Sequence, residues 1–249
     1  MLPELQCIGL VHSCFREKFG IPRQPGLVAE ARAEIEILPP FDRDEAFSGL
    51  DSFSHIWVIF VFHQCQTENG QGQWKATVRP PRLGGNQRVG VFASRSTFRP
   101  NPLGLSVVKF EGMARRQGKL YAQISGIDLL DGTPVLDIKP YLPYADSLTG
   151  ARSGYAPQAP PSQGRLRFSE QAQAQCQQFA RDYPGGHAAL CRLIEGLLRL
   201  DPRPAYRRNT QDRSERYAMR LLDFDLHWEL RGDDIHVLAL AQVDGDSTG

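Results

Sequence analysis

The sequence holds no apolar run approaching the roughly 20 residues that a membrane-spanning helix needs, and its opening Met1-Leu2-Pro3-Glu4-Leu5 lacks the basic-then-apolar build of a secretion signal. A cytoplasmic protein with no membrane association is expected. Cysteine is sparse: Cys7, Cys14, Cys65, Cys176 and Cys191 are odd in number and never in C-x-x-C spacing. Neither a disulfide framework nor a zinc knuckle is indicated, and reduced, mostly buried thiols are expected. The six histidines (His12, His55, His63, His187, His227, His236) show neither ligand spacing nor the company of cysteine pairs, so no metal is expected. Also missing are G-x-G-x-x-G after a strand, G-x-x-x-x-G-K-[ST], H-E-x-x-H and G-x-S-x-G. Their absence removes the common nucleotide, zinc-protease and hydrolase readings.

Glycine and proline, by contrast, are plentiful. The 23 Gly and 18 Pro make up about a sixth of the 249 residues, above the usual share of roughly 12%, which favours a turn-rich, mainly β class over a helical bundle. Strands are predicted at Leu5–Cys14, Ala33–Leu38, His55–Phe62 and Lys119–Ile127, with shorter ones at Lys75–Val78, Val89–Ala93 and Leu105–Glu111. No strand is followed by a 10–15-residue amphipathic helix in this half, so a closed or strongly curved antiparallel β-domain is expected rather than a parallel sheet. Residues 150–165 are small, Pro-rich and nearly uncharged, the composition of a linker between a first domain at 1–149 and a second at 166–246. In the second, Ser169 is a plausible N-cap for a helix bearing Ala172, Cys176, Phe179 and Tyr183. Leu190, Leu193, Ile194, Leu197 and Leu198 form one face of another. The period then falls to two in Tyr217–Leu222, Asp225–Leu230 and Ile235–Gln242. A small α+β unit of this size is expected to lean on the first domain or on a second subunit.

The net charge of +1 conceals an uneven distribution. Residues 75–116 carry nine Lys/Arg against one Asp/Glu, and residues 165–220 carry eleven against six, whereas residues 1–74 carry five against ten. Two basic blocks in an otherwise acidic chain are suited to a polyanion. The first block coincides with stiff loops rich in Arg, Pro, Gly and Asn. Pro22-Arg23-Gln24-Pro25-Gly26-Leu27 and Pro80-Pro81-Arg82-Leu83-Gly84-Gly85-Asn86 fix φ at prolines and free it at glycines. Arg95 to Gly104 packs two Arg, a Phe and an Asn locked between prolines into ten residues. Loops of this cost are seldom built only as connections.

PRQPGLV (Pro22–Val28), HIWVIFVFHQ (His55–Gln64), TVRPPRLGGN (Thr77–Asn86), RSTFRPNPLGLS (Arg95–Ser106), DLLDGTPVLDIKPYLPYADS (Asp128–Ser147) and DPRPAYRR (Asp201–Arg208) resemble the TsaA-like, or TrmO, family of tRNA methyltransferases. The resemblance runs in order over essentially the whole chain. It implies a single-sheet antiparallel β-barrel that binds S-adenosylmethionine (AdoMet), a C-terminal domain bearing DPRPAYR, a homodimer, and methyl transfer to N6 of threonylcarbamoyl-adenosine beside the anticodon of a threonine tRNA. Cofactor contacts would then fall on Pro25, Gly26, Leu27, His63, Gln64, Arg95, Val107, Asp131, Gly132, Thr133 and Pro134.

The chemistry of the residues agrees. AdoMet is a sulfonium cation with a zwitterionic tail, so its site wants backbone edges for the adenine, an Arg such as Arg95 for the carboxylate, and no cation beside the sulfur. Asp131 is a candidate acceptor for amino or ribose groups, or else an ordinary Asp-Gly turn residue. Catalysis of an in-line methyl transfer is chiefly alignment. Asn101 and Arg99 are the candidates for positioning and charge stabilisation, with Asp137 and Tyr141 behind them. Arg79, Arg82, Arg88, Arg115, Arg116, Arg203, Arg207 and Arg208 suit phosphates, and Phe98 or Tyr206 suit stacking on an unstacked base. Asp201–Arg208 is expected to form a projecting arm lining the active site. Two other functions fit the same residues: a non-catalytic RNA-binding barrel, and an AdoMet-dependent methyltransferase of another RNA or a small metabolite.

Overall fold

The computed structural model describes residues 4–65, 74–162, 164–181, 183–203 and 215–243. In the first half the strands are β1 (Gly9–Ser13), β2 (Arg32–Ile37), β3 (His55–Val61), the two-residue β4 (Thr77–Val78) and β5 (Val89–Gly90), β6 (Leu103–Arg116), β7 (Lys119–Ser125) and β8 (Pro134–Pro140). Six of them close into an antiparallel barrel in the order β1-β2-β7-β6-β3-β8, and β4 pairs with β5 in a separate small ribbon. Period-two alternation sets the faces. Along β3, Ile56, Val58 and Phe60 are buried while Trp57, Ile59 and Val61 are half-exposed; along β6, Gly104, Ser106, Val108 and Phe110 are buried. With Val11, Ile35, Ile37, Leu120, Ala122, Ile124 and Val135 they fill the barrel. A register shift between Phe110 and Gly112, with Gly112 at φ +127°, marks a bulge that re-aims the 14-residue β6 toward β7.

The sequence reading is extended in two places. β6 is longer than predicted at both ends, and β8 is an additional strand. Its prolines argue for a loop, but Pro134 and Pro140 are its first and last residues, where a missing N–H does not break the ladder. β8 also closes the barrel, pairing with β1 on one side and β3 on the other.

The C-terminal unit follows the short helix α1 (Pro143–Asp146) and comprises β9 (Leu166–Phe168), α2 (Glu170–Phe179), α3 (Gly186–Arg199), β10 (Arg216–Leu221), β11 (Phe224–Arg231) and β12 (Asp234–Gln242). Its sheet runs β10-β11-β12-β9, antiparallel except for β9 against β12. Ser169 caps α2, its Oγ accepting from the Ala172 N–H at 3.0 Å. α3 buries the predicted leucine face, Leu190, Leu193, Ile194, Leu197 and Leu198.

This unit leans on the barrel through residues 14–31. Phe15 bridges Leu221, the Leu222 N–H donates to the Cys14 carbonyl at 2.8 Å, and the Arg220 N–H donates to Glu17 Oε1 at 2.7 Å. The Tyr183 hydroxyl donates to the Glu30 carbonyl at 2.8 Å, and Arg192 pairs with the Glu30 carboxylate at 3.0 Å. A Cβ on Gly196 would lie 2.9 Å from Val28 Cγ1. The buried side chains of both units form one continuous core.

Gly104 is the tightest point of the barrel wall: a Cβ there would stand 2.2 Å from Cζ of Phe60, whose ring packs edge-to-face on Phe62 at 5.2 Å. Gly104→Ala is therefore expected to destabilise the fold by about 1–3 kcal/mol through overpacking, read as a lower urea midpoint with an unchanged slope. A second substitution, Phe60→Leu, is expected to recover part of that loss.

Candidate functional site

Strand directions place β1, β3 and β7 ending, and β2, β6 and β8 beginning, at one rim of the barrel. The connections at that rim are residues 14–31, 62–102 and 126–133. These three segments carry every predicted cofactor position except Val107 and Pro134, which lie in strands β6 and β8.

The segments are tied to one another. The Gly26 N–H donates to the Gly126 carbonyl at 2.7 Å, and Gly26 takes φ +77° with nothing within 4 Å of where a Cβ would sit, so that side of the residue is unobstructed. Next to it, Gln24 Oε1 accepts from the Arg95 guanidinium. The Phe62 N–H donates to the Pro102 carbonyl at 2.8 Å, which ties the Arg99–Pro102 loop to the turn His63–Cys65. The Gln64 carbonyl accepts from Lys18 Nζ at 2.9 Å. His63 is half-buried; burial and the nearby Lys18 charge hold its imidazole below the usual histidine value, with a hydrogen bond to the Val61 backbone and the Asp131 charge in partial opposition, so it is mostly neutral at physiological pH. Pro25, Gly26, Leu27, His63, Gln64 and Arg95 are thus brought to one rim.

Asp131, Gly132 and Thr133 reach the same rim in another role. Asp131 Oδ1 accepts from the Ser13 N–H at 2.8 Å and its second oxygen pairs with Arg16. The Gly132 N–H donates to the Val11 carbonyl at 2.8 Å, and the buried Thr133 hydroxyl donates to the Leu130 carbonyl at 2.7 Å. Asp131-Gly132-Thr133-Pro134 is a turn pinned to β1 that starts β8. Val107 lies on the barrel's outer wall, opposite Trp57.

The two predicted catalytic side chains diverge. Arg99 is half-buried, donates to the carbonyls of Ser94 at 2.7 Å and Val91 at 3.2 Å, and lies over the Phe92 ring at 5.6 Å, which braces its own loop. Asn101 is exposed, and among the described residues its side chain has no hydrogen-bond partner. Asp137 pairs with Lys139 at 2.8 Å and Tyr141 packs on His55 and Trp57, both away from the rim turn.

A residue that sequence reasoning missed is Asp128. It accepts from the buried Ser106 hydroxyl at 2.6 Å and feels the Arg95 charge, and burial raises its carboxyl to about 6. Nothing in DLLDGTP distinguishes Asp128 from Asp131; only the register of β6, which brings Ser106 across, does.

The first basic block splits in two. Arg115 pairs with Asp44 at 2.9 Å and Arg116 pairs with Glu34, at the β6–β7 hairpin end of the barrel. Lys75, Arg79, Arg82, Arg88 and Arg95 are exposed on the 74–102 loops, with Lys75 over the Phe98 ring at 4.5 Å. Phe92, 75% exposed, and Trp74, 54% exposed, add aromatic surface that the sequence reading did not single out. Arg82 donates to the Gln158 carbonyl, and the Tyr155 hydroxyl donates to the Ala93 carbonyl at 3.1 Å, so residues 155–158 line the same loops. Arg203 is a correction. Its guanidinium forms a two-point pair with buried Asp201 at 2.7 and 3.0 Å and is not presented to solvent as an open phosphate ligand. Tyr206, Arg207 and Arg208, and with them most of the expected arm, lie outside the described residues.

Residues 10–147 match the profile of the tRNA-methyltransferase O N-terminal domain, and residues 161–243 match that of the TrmO C-terminal domain. The chain belongs to the TrmO family. It is 43% identical to the tRNA (adenine(37)-N6)-methyltransferase of Escherichia coli K12 across 95% of this chain and 97% of that protein. It is 50% identical, over the same shares, to RcsF of Pseudomonas aeruginosa, provisionally named an S-adenosylmethionine-dependent methyltransferase. The crystal structure of TrmO from Pseudomonas aeruginosa superposes with a TM-score of 0.77 at 42% identity, covering 97% of this chain and 99% of that one. Membership in the TrmO family accounts for a barrel rim, in place of a doubly wound sheet, as the place where the stiff loops converge.

Asp128 generates a prediction about stability against pH. Because its folded value lies above the ordinary carboxyl value of 3.8, the folded state holds the proton longer. Its contribution to stability is greatest below pH 4, declines as pH rises to about 6 and is flat above that, by at most about 1.4 kcal/mol per pH unit in the window. The difference in unfolding free energy between Asp128→Asn and the unaltered chain is expected to grow in favour of the variant across that window and then level off. A difference independent of pH would show that the carboxyl is not so shifted.

Proposed function

We propose that this chain transfers the methyl group of AdoMet to N6 of adenosine 37 of tRNA. The supporting observation is the convergence of Gly26, His63 and Arg95 at one barrel rim, in a chain so extensively similar to a tRNA (adenine(37)-N6)-methyltransferase. The residues fit the donor's chemistry. Neutral His63 puts no like charge beside a sulfonium, the unobstructed side of Gly26 leaves room for an adenine edge, and exposed Arg95 suits a carboxylate, exchanging its Gln24 partner for it. When bound, AdoMet supplies an electrophilic methyl group; this chain's work is alignment and management of the acceptor's proton. Asn101, held between Pro100 and Pro102 and tied through Pro102 to Phe62, positions the acceptor nitrogen. Asp128, whose carboxyl burial raises to about 6 and which holds the Ser106 hydroxyl, is the carboxylate we assign to that proton. The Lys75–Arg95 loops and Phe92, Phe98 and Trp74 receive the phosphates and unstacked bases of the anticodon loop.

The finer reading is that the acceptor is threonylcarbamoyl-adenosine of a threonine tRNA, in the cytoplasm, with domains at 1–149 and 166–246 joined by 150–165. A homodimer is part of it: Trp57, Ile59 and Val61 of β3 pair across to Val107, Leu105 and Leu103 of β6, an apolar strip on the barrel's outside with Leu105 54% exposed. A second copy on that strip would lie against Val107, which the family resemblance gives to the cofactor.

Incubation with AdoMet and tRNA, with and without the threonylcarbamoyl group, followed by nucleoside mass analysis, is expected to yield the N6-methylated nucleoside only when the group is present. Methylation regardless of the group would indicate a different substrate; binding of tRNA without methylation or an AdoMet-induced thermal shift would indicate a binding module. In the same assay Asn101→Ala is expected to keep AdoMet affinity and lose transfer by at least tenfold, and unchanged turnover would remove Asn101 from the mechanism. Leu105→Glu is expected to give a monomer by sedimentation, and an unaltered dimer would place the interface elsewhere.

A further inference from the structure

Away from the rim, three soft ligands converge among the described residues: Cys176 on α2, and His187 and Cys191 on α3. Their ligand atoms all lie within 4.8 Å of one another. Cys176 Sγ is 3.4 Å from Cys191 Sγ, and Cys191 Sγ is 3.4 Å from His187 Nε2. A tetrahedral cation with metal–sulfur and metal–nitrogen distances of about 2.3 and 2.0 Å separates such ligands by roughly 3.5–3.8 Å, so small side-chain adjustments suffice.

The arrangement follows from the helix pair. His187 and Cys191, four apart on α3, share one helical face. Gly185 and Gly186, at φ +87° and +66°, turn the chain into α3, and a Cβ on Gly185 would stand 2.8 Å from that of Ala189. Buried Tyr183, bonded to the Glu30 carbonyl, anchors that turn to the barrel segment. Cys176 is fully buried, Cys191 half-buried and His187 exposed, which leaves a side open for entry. Two thiolates and a neutral imidazole cancel a double positive charge, so the occupied site carries no net charge into a partly buried place. Sulfur and imidazole donors select zinc-like cations over magnesium or calcium.

We infer that Cys176, His187 and Cys191 form a binding site for a thiophilic divalent cation of the zinc type, which clamps α2 to α3 and keeps its fourth position toward solvent. Binding displaces two thiol protons to solvent and involves no change of oxidation state. The site is independent of the methyl-transfer reading.

The test is titration of the full-length protein, reduced and freed of metal by a chelator since removed, with Co²⁺ as the optical probe. One equivalent is expected to produce the thiolate-to-cobalt charge-transfer band and the visible bands of a tetrahedral ion, both bleached by Zn²⁺ and untouched by Mg²⁺. Cys191→Ser is expected to abolish the charge-transfer band, and His187→Ala to keep it with at least tenfold weaker affinity, both variants retaining the circular dichroism of the parent. Zn²⁺ is expected to raise the thermal midpoint of the parent and not that of Cys191→Ser. The proposal is overturned by a folded parent that gives no band, by a band that survives Cys191→Ser, or by a Cys176–Cys191 disulfide in protein prepared under reducing conditions.

Discussion

The position of residues 14–31 governs the rim. That segment leaves β1 and re-enters the barrel at the neighbouring β2, and it lacks a strand partner of its own within the barrel. It is held from the outside: Phe15 and Cys14 join the β10–β11 turn, Glu17 receives the Arg220 N–H, and Glu30 is gripped by Tyr183 and Arg192. From the inside, Gly26 is tethered to Gly126. A loop fixed at both faces presents its backbone with little conformational entropy left to lose on binding. The C-terminal unit therefore bears on the loop directly: α3 packs Gly196 against Val28, the residue that follows Pro25-Gly26-Leu27.

The same constraint links the leucine face of α3 to the barrel segment, since Gly196 of α3 packs against Val28. A unit of about 80 residues buries too little to be robust alone, and Phe15, Val28, Ala31 and Leu221 belong to a core shared with the barrel. Stability and cofactor-loop geometry are then coupled. A cation holding α2 to α3 would act on the loop through α3 and Tyr183.

What was legible in the sequence was whatever local pattern decides. The alternation of β3, the leucine face of α3 and the Ser169 cap need only neighbours a few residues away to be read. β8 was hidden because its signal is non-local: two prolines and two charges look like a loop until β1 and β3 supply the ladder on either side. The site divides in the same way. The Pro/Gly/Arg loops announce themselves by composition, and they do meet. The distinction between Asp131, which caps Ser13 and pairs with Arg16, and Asp128, which is buried against Ser106, depends on strand register. The Cys176–His187–Cys191 trio escaped for a related reason: its members sit on two helices, and their proximity is a property of how those helices pack.

The proposed reaction sets two electrostatic demands that conflict. A tRNA anticodon loop wants uncompensated cations, whereas a sulfonium donor wants none beside its sulfur. The structure separates them by pairing. At the rim, Arg16 is matched by Asp131, Arg95 has Asp128 as a counter-charge, and His63 is neutral. On the 74–102 loops, Lys75, Arg79 and Arg88 stand exposed, Lys75 over the Phe98 ring, with no acidic side chain paired to them among the described residues. Two unit charges 4 Å apart interact by about 4 kcal/mol near a protein surface and by far less beyond a Debye length of roughly 8 Å. Pairing of Arg16 and Arg95 lowers the positive field at the rim, where the Lys18 charge on the Gln64 carbonyl remains, while the outer loops keep their attraction for phosphate. Asp131, the carboxylate that the sequence offers as a ligand for the donor, is in the fold also the counter-charge of Arg16.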